Sequence, residues 1–220
     1  MRKTSGDLMS PITAYSGFLS PAEVDRAKQQ VFAMREHWHD PTPEKHAARG
    51  AKGKFVLLGS SLYRMNSLSD LNLPLKALML EEFAWLYERL FDVLGRTTGR
   101  SCKFRKDLPV PGFHISELDI TPTPLEMHVD NRIGEHTGGL TSVALISLLD
   151  AGSQGAWLEY LDGDTERKLV YEKGVLYAWG PTLLHRIGAG SLQVKPGESR
   201  MTLQGHFFVD PDDNKNVLFF

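Results

Sequence analysis

Cysteine is nearly absent from this chain of 220 residues, with Cys102 as its one example. An intramolecular disulfide is therefore excluded, which is typical of proteins in a reducing cytoplasm, and we expect a cytoplasmic location. Cys102 itself is interpreted as a small packing residue and not as a nucleophile.

A strong charge bias and long apolar runs are also missing. The formal net charge is −2, and no basic run or basic face stands out, so neither nucleic acid nor a membrane surface is expected as a partner. The apolar stretches are far shorter than a membrane span, and the charged N-terminal residues lead into no apolar secretory segment. Since no internal repeat is present, the length predicts one domain, residues 1–220.

Helix signals are found within about residues 1–100. The segment Ser20–Glu23 combines an N-cap, a proline at the first helical position and a capping box, and it predicts a helix that runs to about Trp38. A second helix is predicted from roughly Leu75 to Leu94, with Gly95 as its C-cap. Between them, Pro41 to Lys54 is predicted to form a loop or lid because of its Gly, Pro and Lys residues.

Short β-type runs, separated by turn residues, follow from about residue 101 to residue 210. They are Gly112 to Ile120, Leu140 to Leu149, Ala156 to Tyr160, Lys168 to Tyr171, Gly174 to Trp179, and Arg200 to Val209, and an earlier short strand is expected at Phe55 to Leu58. Regularly spaced short strands are typical of a sandwich or barrel. We therefore predict a mainly β structure with supporting α-helices (α+β), in which helices buttress one β-core.

Polar residues line one face of the last predicted strand. Arg200, Thr202, Gln204 and His206 alternate with apolar residues, so they point to one side of an extended chain. A face of this kind is predicted to line a cavity, although solvent-exposed polar residues would produce the same alternation.

His128-Val129-Asp130 is a candidate metal-binding motif. In an extended segment residues two apart point to the same side, so His128 and Asp130 can reach one ion. The pair is weak evidence alone, and a surface salt bridge would also account for it.

His185 follows the aromatic segment Val175–Trp179, and Arg200 and Thr202 follow His185. A lone histidine after an apolar pair is more often a core residue than a ligand. Two histidines and one carboxylate, however, are the ligand set of the facial triad, which leaves positions on a ferrous ion open. An arginine with a hydroxyl two residues later suits a small dicarboxylate. Together these residues indicate an oxygen-activating iron enzyme.

The same residues resemble the pattern of the Fe(II)/2-oxoglutarate-dependent oxygenases, which is His-x-Asp/Glu, a distal His, then Arg-x-Ser/Thr. Segments between Leu145 and Thr202 look like strands and turns of the prolyl-hydroxylase-like branch, and the resemblance covers roughly residues 110 to 209. It implies a double-stranded β-helix core, which is related to jelly rolls and cupins.

The resemblance also implies roles for individual residues. His128, Asp130 and His185 would be catalytic iron ligands, and Arg200 and Thr202 would bind the distal carboxylate of 2-oxoglutarate. The implied cofactors are Fe(II), 2-oxoglutarate as co-substrate, and O2. The implied products are succinate, CO2 and an oxidised substrate, most simply a hydroxylated one. Because Asp130 is retained, a halogenase that would use His136 with a small residue in place of the carboxylate is disfavoured.

Further residues are assigned to the cavity on weaker grounds. His114 and Gln204 are expected near the co-substrate. Candidate substrate contacts are Asn131, Arg132, Trp157, Trp179 and His206, and Tyr177 is a further candidate for the pocket wall, although aromatic residues at strand spacing are more often core.

Three alternatives stay open. The first is a non-catalytic jelly-roll protein that binds a metal or ligand. The second is a cupin-type metal dioxygenase that does not need Arg200. The third is an oxygenase that acts on a peptide or protein side chain. A small-molecule substrate is preferred only because no appended binding domain or basic groove is present. The sequence does not decide between a monomer and a homodimer.

Overall fold

The computed structural model describes residues 2–3, 11–39, 54–57, 73–104, 110–116, 127–129, 140–149, 157–180, 182–187, 199–209 and 216–219. For the strands at 2–3, 54–57, 140–149, 206–209 and 216–219 it describes the backbone alone. The predicted loop from Pro41 to Lys54 therefore lies outside the described residues, except for Lys54 itself.

Three α-helices lie in the first half of the chain, namely α1 (Pro21–Ala33), α2 (Leu73–Glu82) and α3 (Ala84–Thr98). The predicted capping box begins α1, because the Glu23 N–H donates to Ser20 Oγ at 3.3 Å and the Ser20 N–H donates to Glu23 Oε2 at 2.8 Å. This helix ends at Ala33, and a short 3₁₀ turn, Arg35–His37, replaces the predicted last turn.

The second predicted helix is two helices in the structure. Phe83, which is fully buried, interrupts the helical backbone between α2 and α3. The prediction of Gly95 as a C-cap is wrong, because α3 continues to Thr98. Gly99 ends the helix with φ of +66°, and its N–H donates to the Gly95 carbonyl at 2.8 Å. Glycine suits this position because it adopts left-handed backbone angles without a Cβ clash.

Twelve strands are described. They are β1 (Arg2–Lys3), β2 (Ile12–Ser16), β3 (Lys54–Leu57), β4 (Ser101–Phe104), β5 (Gly112–Ser116), β6 (Leu140–Leu149), β7 (Trp157–Asp162), β8 (Thr165–Val170), β9 (Leu176–Trp179), β10 (His185–Ile187), β11 (Arg200–Val209) and β12 (Asn216–Phe219). Strands β6 and β11 have the predicted bounds, whereas β1, β2, β4, β10 and β12 were not predicted.

The strands form two sheets. A nine-stranded sheet has the order β1-β2-β9-β6-β11-β12-β4, and β5 pairs with β11 and with β3. A three-stranded sheet has the order β10-β7-β8. The described pairings do not close into a barrel. The fold is α+β, with the three described helices beside the two sheets.

Two apolar clusters lie on opposite faces of the nine-stranded sheet. Met201, Leu203 and Phe113 pack with the buried residues of the three helices. Trp179 and Tyr177, by contrast, pack with Leu158 and Tyr160 of the three-stranded sheet. The helices therefore buttress one face, as predicted, and the two sheets face each other across the other. Among the described helices, none is long and apolar enough to cross a membrane.

Candidate active site

A backbone bridge joins two of the predicted metal ligands. His128 and His185 exchange two antiparallel hydrogen bonds, in which each N–H donates to the other's carbonyl at 2.9 Å. Residues paired in this way point to the same side of a ladder. Their imidazole centroids are accordingly 4.6 Å apart, although the two residues lie 57 positions apart in the chain (185 − 128).

The imidazole of His185 is held from two sides. The ring is buried, and its Nδ1 lies 2.8 Å from the Leu183 carbonyl oxygen. Because a carbonyl only accepts, this hydrogen bond places the proton on Nδ1 and the lone pair on Nε2. The indole of Trp179 lies edge-on to the ring at 5.5 Å between centroids. A fixed imidazole of this kind is suited to binding a metal ion.

The register of β10 explains which way His185 points. His185 pairs with Tyr160, and the adjacent Arg186 pairs with Glu159. Tyr160 belongs to the apolar cluster between the sheets, whereas the Arg186 guanidinium binds Glu159 at 2.6 Å and Glu166 at 3.0 Å. Alternation along the strand therefore turns His185 inward and Arg186 outward.

The third predicted ligand, Asp130, lies outside the described residues, as do Asn131, Arg132 and His136. Within the described part of the chain, no group of three His, Cys, Asp or Glu side chains is placed to hold a metal ion. The structure thus brings His128 and His185 together, and the role of Asp130 stays a prediction.

The predicted co-substrate residues lie on β11, which is flanked by β5 and β6. Arg200, Thr202 and Gln204 alternate along this strand, and Thr202 is buried. His114 is paired with Thr202 in the ladder, so both belong to the same face of the sheet. The side chain of His114 is exposed, unlike that of Thr202. His206 belongs to the same strand, but its side chain lies outside the described residues.

The guanidinium of Arg200 lies in an aromatic setting without an acidic partner among the described residues. Its Cζ is 5.7 Å from the ring centroid of Tyr171, and its buried Nε has no hydrogen-bond partner there. Burial lowers the pKa of Arg200, yet an arginine stays charged at neutral pH. Arg200 is half-buried, and leaving its buried cationic Nε without an acceptor is costly, which indicates a site that an anion completes.

Sequence reasoning did not identify Tyr171 as a site residue. The sequence predicts Tyr171 as the end of a strand, whereas it lies one residue beyond β8, is buried, and packs against Tyr177 with tilted rings 5.6 Å apart between centroids. No motif marks it, because its position beside Arg200 depends on the pairing of distant strands.

The proposed pocket wall is divided between two faces of the three-stranded sheet. Trp179 contacts His185 directly. Trp157, however, lies on the outer side with Glu159, to which its Nε1–H donates at 3.0 Å, and Lys168 Nζ lies 3.3 Å from its ring centroid. Since Leu158 next to it points inward, Trp157 is turned away from the histidine pair. Its assignment as a substrate contact is not supported by this position.

No protein-family model matches the sequence, and no curated protein matches it either. Solved structures do resemble the fold. A prolyl hydroxylase from Trichoplax adhaerens, in complex with a hypoxia-inducible-factor peptide fragment, has a TM-score of 0.56 at 11% identity, covering 88% of this chain and 83% of its own. A 2OG-Fe(II) oxygenase family oxidoreductase from Burkholderia pseudomallei has a TM-score of 0.56 at 13% identity, with 88% and 83% coverage.

A third similar structure is the non-haem α-ketoglutarate-dependent epimerase SnoN from nogalamycin biosynthesis. Its TM-score is 0.54 at 12% identity, and the match covers 92% of this chain and 80% of that one. The chain therefore has a fold of the 2-oxoglutarate- and Fe(II)-dependent oxygenases. This confirms, at the level of the fold, the resemblance noted in the sequence.

Proposed function

We propose that this protein is a cytoplasmic Fe(II)/2-oxoglutarate-dependent dioxygenase with a double-stranded β-helix core, and that it hydroxylates a small molecule. The observation that carries the proposal is the half-buried Arg200, whose buried Nε has no hydrogen-bond partner and which has no acidic partner among the described residues. Catalytic folds place such uncompensated charges where a ligand of opposite charge binds.

The metal-binding residues would be His128, His185 and Asp130. The histidine pair fits a ferrous ion because its rings are adjacent and because the hydrogen bond from His185 Nδ1 to the Leu183 carbonyl directs Nε2 to a ligand. When bound, ferrous iron supplies the activation of O2 coupled to oxidative decarboxylation of 2-oxoglutarate to succinate and CO2. Asp130 would complete the facial ligand set.

The co-substrate would be bound through its distal carboxylate. Arg200 has the planar pair of donors that suits a carboxylate, and Thr202 offers a hydroxyl on the same face of β11. His114, which pairs with Thr202, and Gln204 are proposed to lie near this group. These side chains would orient the co-substrate, and the burial of Thr202 would strengthen its hydrogen bond by excluding water.

The substrate would bind beside the histidine pair. Trp179 is buried against His185 and would form part of the wall. Asn131, Arg132 and His206 are proposed to contribute at the entrance. Hydroxylation is the simplest outcome, and O2 is the oxidant that the proposed site requires.

Anaerobic binding tests the proposal directly. Iron-loaded wild-type protein is expected to develop a visible charge-transfer band on addition of 2-oxoglutarate, and to release succinate when O2 is admitted. Arg200→Ala should weaken 2-oxoglutarate binding by roughly a hundredfold, because about two charge-assisted hydrogen bonds are lost. The affinity for ferrous iron alone should not change.

His185→Ala should abolish iron binding, and Arg186→Ala is the matched control. Arg186 is the next residue but faces outward to Glu159 and Glu166, so its loss should leave both ligands bound. A wild-type protein that binds no 2-oxoglutarate in the presence of iron would contradict the proposal. Retention of a tightly bound zinc ion with no co-substrate binding would favour a binding protein.

A further inference from the structure

Two buried polar atoms among the described residues lack a hydrogen-bond partner, and they belong to neighbouring side chains. They are the hydroxyl oxygen of Tyr171 and Nε of Arg200. The guanidinium carbon lies 5.7 Å from the centroid of the Tyr171 ring. Leaving a buried donor unsatisfied destabilises a fold. Two adjacent examples, one cationic and one a hydroxyl, indicate that a single anionic group satisfies both.

The neighbouring Tyr177 shows that an unpaired hydroxyl is not a general property of the aromatic cluster. Tyr177 packs against Tyr171 with tilted rings whose centroids are 5.6 Å apart. Its hydroxyl accepts a hydrogen bond from the Glu172 N–H at 2.8 Å. The hydroxyl of Tyr177 thus has a structural partner, whereas that of Tyr171 has none among the described residues.

The segment that follows Tyr171 is held firmly in place. The Leu19 N–H donates to the Gly174 carbonyl at 2.9 Å. Gly174 has φ of +74°, and a Cβ there would lie 2.6 Å from the Leu19 carbonyl oxygen, so only glycine fits this approach. Tyr171 also packs in the apolar cluster between the sheets. Its hydroxyl is therefore fixed in position before any ligand arrives, which favours binding.

We propose that Tyr171 is a specificity-determining residue of the co-substrate site, whose hydroxyl donates a hydrogen bond to the distal carboxylate held by Arg200. The inference rests on the proposed function and adds to it a residue that selects dicarboxylic over monocarboxylic 2-oxo acids. An acid with only one carboxylate leaves both the guanidinium and the phenol unsatisfied, and this difference in unpaired buried groups is what discriminates.

The protonation state of Tyr171 suits the role of donor. Burial raises the pKa of the phenol far above its ordinary value, although the positive charge of Arg200 opposes the increase. The hydroxyl consequently keeps its proton at neutral pH, where it can donate a hydrogen bond to a carboxylate.

Tyr171→Phe tests the inference because it removes the hydroxyl and keeps the ring. Binding of 2-oxoglutarate to the iron-loaded, oxygen-free protein is followed by the charge-transfer band and by calorimetry. The variant should bind 2-oxoglutarate roughly tenfold to a hundredfold more weakly than the wild type, the usual effect of losing a hydrogen bond to a charged group. Binding of 2-oxobutyrate, which lacks the distal carboxylate, should be unchanged.

Tyr177→Phe is the matched control from the same aromatic pair. It removes the hydroxyl that binds the Glu172 N–H, so it should lower the melting temperature and leave the affinity for 2-oxoglutarate unchanged. Equal weakening of both oxo acids by Tyr171→Phe, or an unchanged affinity for 2-oxoglutarate, would overturn the role of Tyr171 while the proposed function stands. Absence of 2-oxoglutarate binding by the wild type would overturn both.

A second measurement covers the case in which Tyr171→Phe does not fold. A crystal structure of the wild-type protein with N-oxalylglycine, a 2-oxoglutarate analogue, should place a carboxylate oxygen about 2.5–3.0 Å from the Tyr171 hydroxyl. A carboxylate that binds Arg200 but lies beyond hydrogen-bond distance of Tyr171 would overturn the inference.

Discussion

The two faces of the nine-stranded sheet bury different chemistry. On one face Met201, Leu203 and Phe113 pack against the helices. On the other, Arg200 and Tyr171 retain polar atoms without a hydrogen-bond partner among the described residues. Neighbouring residues of β11 therefore point to opposite faces of the sheet and have different roles. Both faces bury an apolar cluster that stabilises the fold, but the second face also holds unpaired polar atoms, whose cost in stability a bound ligand would offset.

Truncation on the helix-packed face should have the largest effect on stability. Phe113 is fully buried, and its ring lies 4.8 Å from that of Phe83. Phe113→Ala should lower the free energy of unfolding by about 3–5 kcal/mol, because it removes apolar contacts and leaves a cavity. Urea unfolding measures the change. Phe32→Ala, at a side chain that is 36% exposed, is the control, and an equal loss there would contradict the assignment of Phe113 to the core.

A substitution at Arg200, on the opposite face of the sheet, should raise the free energy of unfolding instead of lowering it. Arg200→Met replaces a half-buried cation, whose buried Nε lacks a partner among the described residues, by an apolar side chain of similar length. It should raise the free energy of unfolding by about 1–3 kcal/mol in ligand-free protein. Thermal and urea unfolding without 2-oxoglutarate would show the gain, and binding should be lost at the same time. A large destabilisation would mean that Arg200 has a structural partner.

Arg186, which faces outward, provides a comparison with Arg200. Arg186 binds Glu159 and Glu166 and thereby joins β10 to β7 and β8. Hydrogen bonds from Trp157 and from Arg186 lower the pKa of Glu159. Arg186→Met should lower the melting temperature, by less than Phe113→Ala does, because the pair is partly exposed. A melting temperature that rises as for Arg200→Met would remove the distinction between the two arginines.

The smallest effect is expected at the surface pair between α1 and α3. The hydrogen bond from Arg89 lowers the pKa of Glu23 from 4.5 to about 2. Since the folded-state pKa is the lower one, the pair stabilises the fold above about pH 4.5 and loses this contribution as the pH falls toward 2. Glu23→Gln should cost less than about 1 kcal/mol at neutral pH after solvent screening.

That difference between wild type and Glu23→Gln should vanish in acid, which urea unfolding at several pH values would reveal. Glu81→Gln, at an exposed position of α2, is the control and should show no such dependence. A difference that grows as the pH falls would contradict the ion pair.

Local signals in the sequence predicted the start of α1 and the bounds of β6 and β11. A capping box uses groups three residues apart, and alternation along a strand reports which side faces a core. The break at Phe83 and the helix end at Gly99 were missed, because burial of Phe83 and the left-handed turn at Gly99 outweighed a continuous helical pattern. Short strands such as β4 and β10 were missed because their pairing partners are remote in the chain.

For the candidate site as well, some features could be predicted from the sequence and others could not. Residue types and spacing were enough to single out His128, His185, Arg200 and Thr202, since metal and carboxylate chemistry restrict which side chains serve. The inward direction of His185, the outward direction of Trp157 and the place of Tyr171 follow from strand register, which a one-residue shift would reverse.

The amino-acid sequence by itself thus determined which chemical groups are available and the oxygenase class that they resemble. Only the tertiary structure decided which of them meet. The bridge between His128 and His185 and the contact of Tyr171 with Arg200 join residues far apart in the chain. Such contacts depend on sheet pairing and on packing between two sheets, which are cooperative properties of the whole fold and leave no local pattern to read.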